Sequence, residues 1–170
     1  MKTSDAHPPP PERQPVPAEL HEPLVEPMIT AVGTVMRELL NTEAAVQAAW
    51  RQTLQGPLGE LAAVIKFAAA TEGALVLSCS RPTAALLAGR MLTAVRQDPD
   101  QPLVEDSLGE IANVIAGQVK TLLFGTPYHF TLSTPTIGGG DTELWPPPGR
   151  DGVMISFTTD AGEVVLHFFP

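Results

Sequence analysis

Over residues 101–124 the apolar side chains recur every three or four positions, and beyond Gly125 they recur every second one. A helix buries a stripe and a half-covered strand buries alternate side chains, so this change of period requires a chain that packs helices on sheet. At about 100° per residue, Leu108, Ile111, Ala112, Ile115, Val119, Leu122 and Leu123 fall on one side of the helical segment, while Asp106, Glu110, Asn113, Gly117 and Thr121 line the other. Glu110 and Asn113 are then neighbours on the solvent side, an acid and a carboxamide able to act on one small target. Gly117, one turn further on, removes the side chain that would hold off a partner's backbone, at a cost of roughly 1 kcal/mol relative to Ala.

The other elements follow from spacing and punctuation. Residues 27–52 carry apolar positions at helical intervals behind a first-turn proline, which predicts one long helix closed by Gly56 and Pro57. Residues 58–67 and 73–80 predict two strands joined by a Thr-Glu-Gly turn, and residues 81–96 a helix ended by Asp98, Pro99 and Asp100. Past Gly125, Tyr128, Phe130 and Leu132 alternate with His129, Thr131 and Ser133; residues 153–158 and 163–169 then pair across the Asp160, Ala161, Gly162 turn. Helix, two strands, two helices and three strands predict an α/β protein of the α+β type, two layers deep, with helices on one face of a largely antiparallel sheet. The final strand, EVVLHFF, reads as an apolar edge that invites pairing with a second copy, hence a homodimer.

Composition excludes several functions. The 170 residues, 44% hydrophobic and 17% charged, suit one domain over residues 27–170. Residues 1–26 are dominated by proline and charge and predict a disordered, partly polyproline II arm, solvated rather than docked on an aromatic groove. A net charge of −9 with ten scattered Lys and Arg leaves no basic patch for nucleic acid or anionic lipid. The lone Cys79 forms no internal disulfide, and no signal-like or membrane-spanning run is present, which predicts a cytoplasmic protein. His129 and His167 lack a second ligand at metal-binding spacing, Cys79 reads as a small buried hydrophobe, and the glycine run 138–140 precedes no helix and reads as a turn.

The stretch DSLGEIANVIAGQVK, residues 106–120, resembles the signature of the CheC, CheX and FliY family of chemotaxis phosphatases. That signature is an Asp or Ser, a Glu four residues on, an Asn three after it, and a Pro about twenty further along; Asp106, Glu110, Asn113 and Pro135 match it. The GALVLSC strand, the AALLAGRML helix and the FTLSTPTIGGG run are similar to the CheX branch, so the resemblance covers most of residues 27–169. The first predicted helix holds Glu38 and Asn41 at the same spacing, but Thr34 stands where the acid or serine belongs and no proline follows at the matching distance.

The resemblance implies a CheX-like fold and hydrolysis of the phosphoaspartate of a CheY-like receiver domain. Asn113 would orient the attacking water and Glu110 would dock on the receiver's lysine, with Asp106, Val114, Gly117 and Thr121 touching the partner. It implies no cofactor bound by this chain and a Mg²⁺ held by the receiver's own acids. Three bland readings stand beside it. Asp106 in an early helical turn also suits the macrodipole or a cap, Val114 and Phe124 also suit scattered surface apolar residues, and the same helix face also suits a receiver-binding or motility adaptor without turnover.

Overall fold

The structure is a computed structural model that describes residues 12–69, 72–92, 99–139 and 146–170. The strands it contains form one antiparallel sheet in the order β1 (Gln14–Pro15), β2 (Ala45–Thr53), β7 (Asp151–Thr159), β8 (Gly162–Phe169), β4 (Glu72–Cys79), β3 (Leu61–Ala68) and β5 (Thr131–Leu132), with β6 (Thr136–Gly138) also paired to β3. Side chains alternate across its strands. Leu61, Ala63, Ile65 and Phe67 of β3, with Leu75 and Leu77 of β4, join the core shared with the helices, whereas Ala62, Val64, Ala74 and Val76 join a second cluster with Trp50, Met154 and Phe169 on the opposite face. The helices α2 (Glu26–Leu40), α3 (Arg81–Met91) and α4 (Gln101–Leu122) all pack on the first face. The predicted two-layer arrangement is the one observed.

Two strand assignments change. Residues 163–169 belong to β8, which is interior, hydrogen-bonded to β7 on one side and to β4 on the other. Val164, Leu166, Phe168 and Phe169 are buried within the chain itself, so their apolarity carries no argument for a second copy. The predicted helix over residues 27–52 is instead α2 followed by β2. Asn41 caps α2 in the left-handed conformation (φ 49°, ψ 44°), and Thr42 N–H donates to Met36 O at 3.1 Å. Asn tolerates that conformation better than most side chains, which makes it a helix stop. The alanines beyond it are compatible with either element, and the ladder from Ala45 opposite Thr158 to Thr53 opposite Asp151 decides for strand. Asn41 thus ends α2 in the left-handed conformation, so the Glu38–Asn41 pair does not share one helix as Glu110 and Asn113 do.

The disordered arm predicted up to residue 26 is not what the described residues 12–26 show. Residues 1–11 lie outside the described residues, but from Glu12 on the chain is packed. Gln14 and Pro15 pair with Arg51 and Trp50, Arg13 stacks over the Trp50 ring at 4.2 Å, and Val16, Leu24 and Val25 are buried. A short helix α1 (Ala18–Leu20) and a π-helical turn (His21–Val25) lead from there into α2.

One carboxylate ties three segments together. Asp160, in the β7–β8 turn, accepts hydrogen bonds from Thr42 Oγ1, just past α2, and from Arg90 Nη2 in α3 at 2.6 Å. The Arg90 hydrogen bond, helped by that of Thr42, holds its pKa below the usual carboxylate value.

The capping role of Asn41 gives a test. Asn41→Gly should leave stability unchanged or slightly raised, whereas Asn41→Val should lower it by about 1–2 kcal/mol, because a β-branched residue is strained in the left-handed region. Urea unfolding of the two variants beside the parent reads this.

Candidate active site

Helix α4 starts where its sequence says it should. The Asp100 side chain accepts from Leu103 N–H at 3.1 Å as the N-cap, and Pro102 sits in the first turn, where a missing N–H costs nothing. Leu108, Ile111, Ile115, Ala116 and Val119 are at most 1% exposed, so the helix is locked to the sheet by one side. The opposite stripe is free. Asp106, Glu110 and Thr121 are exposed, Asn113 and Gly117 are half-exposed, and Val114 is exposed beside them.

Among the described residues no side chain hydrogen-bonds or ion-pairs with Asp106, Glu110 or Asn113. The polar side-chain bonds of α4 lie elsewhere: Gln101 Nε2 donates to Glu105 Oε1 at 2.9 Å, Arg81 stands 4.0 Å from Glu105, and Thr121 Oγ1 donates to Gly117 O at 3.0 Å. Asp100 does the capping, so Asp106 is left without that structural task. An acid and an amide are thus presented to solvent uncommitted, a pair that can accept a lysine and hold a water at the same time.

Pro135 approaches α4 at Gly109, the residue before Glu110. A Cβ built on Gly109 would stand 3.7 Å from Pro135 Cβ and 3.0 Å from Ile137 Cδ1, so the absence of a side chain at Gly109 is what lets the Pro135–Ile137 segment lie against α4 beside Glu110. Sequence reasoning passed over Gly109; its signal is a glycine inside a helix whose position faces a β segment. Gly117 differs, since a Cβ there would meet nothing within 4 Å. Leu122, assigned to the buried side, is 40% exposed instead: α4 ends at that residue, and Leu123, fully buried, takes the core position.

The family model for the chemotaxis phosphatase CheX matches residues 61–158, more than half of the chain and the whole of the Asp106, Glu110, Asn113, Pro135 set. The chain belongs to the CheX family. Comparison with curated proteins gives no match. Among solved structures, the chain is similar to the chemotaxis protein CheX of Desulfovibrio desulfuricans, with a TM-score of 0.74, 22% identity, and coverage of 85% of this chain and 96% of that one. A CheX–CheY–BeF3–Mg²⁺ complex from Borrelia burgdorferi gives 0.69 and 19%, covering 85% and 96%, and the FliY of Thermotoga maritima gives 0.66 and 15%, covering 89% and 90%. At these identities the likeness establishes the fold.

The other face of this CheX-family sheet carries Ser78 and His167, while Cys79, next along β4, belongs to the helix-side core. A hollow of about 960 Å³ is lined by Trp50, Leu54, Glu60, Ser78, Cys79 and His167, among others. Ser78, not Cys79, meets the histidine, with Oγ 2.7 Å from His167 Nε2. Burial lowers the His167 pKa to about 3, and burial, reinforced by the nearby charge of Glu60, pushes the Cys79 thiol up to about 12. A histidine so weakly basic cannot take a proton from a nucleophile near neutrality, and a thiol so raised is not a thiolate. Both groups are buried. Among the described residues no cluster of His, Cys, Asp and Glu is arranged to hold a metal, and no helix is long and apolar enough to cross a membrane.

His167 makes acid unfolding specific. Its folded pKa of about 3 lies below the unfolded value of 6.5, so on acidification the unfolded chain binds a proton that the folded chain refuses. The neutral-histidine contribution is complete above pH 6.5 and falls as the pH drops from there toward 3, by up to about 1.4 kcal/mol per pH unit. Urea titrations across that window should show a shallower fall for the double variant Ser78→Ala/His167→Phe than for the parent.

Proposed function

We propose that this protein hydrolyses the phosphoaspartate of a CheY-like response-regulator receiver, with Asn113 and Glu110 as its working side chains. The observation that carries the reading is the outward, unpartnered pair on α4, whose orientation follows from the complete burial of Ile111 and Ile115 on the other side of the helix. CheX-family membership supports it, as does the similar protein that forms a complex with CheY, BeF3 and Mg²⁺.

An acyl phosphate is an anhydride, and its hydrolysis lacks mainly a water held in line with the bond to be broken. The Asn113 carboxamide is neutral and both donates and accepts, so it holds that water near the phosphoryl group without adding like charge. Water attacks phosphorus, the bond from phosphorus to the carboxylate oxygen breaks, and inorganic phosphate leaves a free aspartate. A carboxylate beside a phosphate would repel it, so Glu110 pairs with the receiver's lysine and sets the helix in register. Asp106, Val114, Gly117 and Thr121 line the contact. The chain itself supplies no metal ligand to the step; the Mg²⁺ belongs to the receiver, held by its acids. Such a substrate is cytoplasmic, which fits the single thiol of the chain.

Decay of phosphorylated receiver at saturating receiver concentration is the test. Asn113→Ala should slow it on the order of a hundredfold, about 3 kcal/mol in the barrier, while binding of the activated receiver is retained. Glu110→Lys should abolish the binding. Decay by Asn113→Ala as fast as by the parent removes Asn113 from the mechanism, and a stable complex whose phosphate lifetime the protein does not change makes the chain a receiver-binding adaptor.

A further inference from the structure

Positions 110, 113, 117, 121 and 124 follow one another at intervals of three or four residues, so the stripe that begins with Glu110 and Asn113 leads to Phe124. That ring is 76% exposed, more than any other large hydrophobic side chain among the described residues. Leu122, 40% exposed, ends α4 two residues before it, and Val114, 38% exposed, lies near the middle of the same helix. The remaining exposed large hydrophobics, Leu39, Val46 and Leu86, lie on three different elements.

The ring is also held in place. The turn after α4 is cross-linked: Phe124 N–H donates to Thr121 O at 3.3 Å, Thr126 Oγ1 to Leu123 O at 2.7 Å, and His129 N–H to Thr126 O at 3.3 Å. Gly125 makes the bend at φ +78°, a conformation that favours glycine. The His129 ring stands edge-on to Phe124, with centroids 5.3 Å apart and planes at 89°. The next residue, Phe130, is 1% exposed and stacks on Phe67 at 4.4 Å, so His129 is tied directly to the core. An aromatic ring already fixed in an exposed position loses little freedom when a partner covers it.

We propose that Phe124, backed by His129, is an apolar anchor for the receiver and sets which receivers this protein accepts. The inference rests on the phosphatase reading of Glu110 and Asn113 and extends it. Continuity names the occupant: Asn113 and Phe124 lie eleven residues apart, about 16 Å along a helix, and at Gly117 between them a Cβ would meet nothing of the chain's own. A body seated on Asn113 can therefore lie along α4 as far as Phe124. The partner it fits presents an apolar recess about 16 Å from its phosphorylated aspartate. Glu110 and Asn113 address a lysine and a phosphoryl group, which cannot tell one receiver from another, whereas an aromatic anchor discriminates by the recess that must accept it.

The experiment pairs dephosphorylation kinetics with direct binding, using the host's receiver domains charged with acyl phosphate for the first and activated by beryllofluoride and Mg²⁺ for the second. Phe124→Ala should raise KM and Kd for the preferred receiver about tenfold or more while kcat stays within about twofold, and Phe124→Leu should recover much of the loss. KM and Kd within about twofold of the parent on every receiver overturn the anchor, and an intact Asn113→Ala defect in the same series leaves the phosphatase reading standing. If the parent binds the activated receiver without hydrolysing its phosphate, and Phe124→Ala loses that binding, the anchor stands and the phosphatase reading falls. If the parent neither binds nor hydrolyses any receiver, both fall.

Discussion

Ile111, Ile115 and Val119 have no exposed surface, and side chains one turn apart share a face of a helix, so their burial fixes the direction in which Glu110 and Asn113 point. Rotating α4 by one residue would turn the polar stripe toward the core, where an unpaired amide costs about 1–3 kcal/mol and an unpaired carboxylate more, while exposing side chains whose burial stabilises by about 1.5–3 kcal/mol each. The two costs add, and together they fix which face of α4 is presented to solvent. Neither Glu110 nor Asn113 needs a bond to its own chain to hold its place, and both keep their hydrogen-bonding capacity for something outside.

How much of this was legible in the sequence depends on whether a residue's environment is set by its neighbours in the chain or by remote ones. The α4 stripe was legible because its period extends over six turns, and the β3–β4 hairpin because short apolar runs flank a turn. β2 was hidden: Ala45, Ala48 and Ala49 fit a helix as well as a strand, and only the distant ladder with β7 decides between them. The interior place of β8 was hidden for the same reason, since an apolar strand reads alike at an edge and in the middle of a sheet. Asn41 shows the converse, a residue whose local signal was present but was read only as half of a motif; its backbone, not its amide, is what the fold uses.

The two faces of the sheet divide the reactive side chains between them in a consistent way. Where polar groups are buried, as with His167 against Ser78, the surroundings suppress their charge and leave them as packing with one hydrogen bond. Where they are exposed on α4, the buried stripe behind them does the positioning. At Gly109 the missing side chain lets the Pro135–Ile137 segment lie against the helix.

The interior position of β8 bears on how the molecule assembles. Ala74 pairs with Phe169 and Val153 with Phe168, so both halves of the sheet meet on β8, which is synthesised after every other described strand of this sheet. Until it arrives, β4 and β7 each present a bare apolar edge, and contacts so remote in sequence close slowly. The nascent chain therefore completes its sheet only after synthesis has passed residue 169, and the interval before that is when it most needs a chaperone's protection from aggregation.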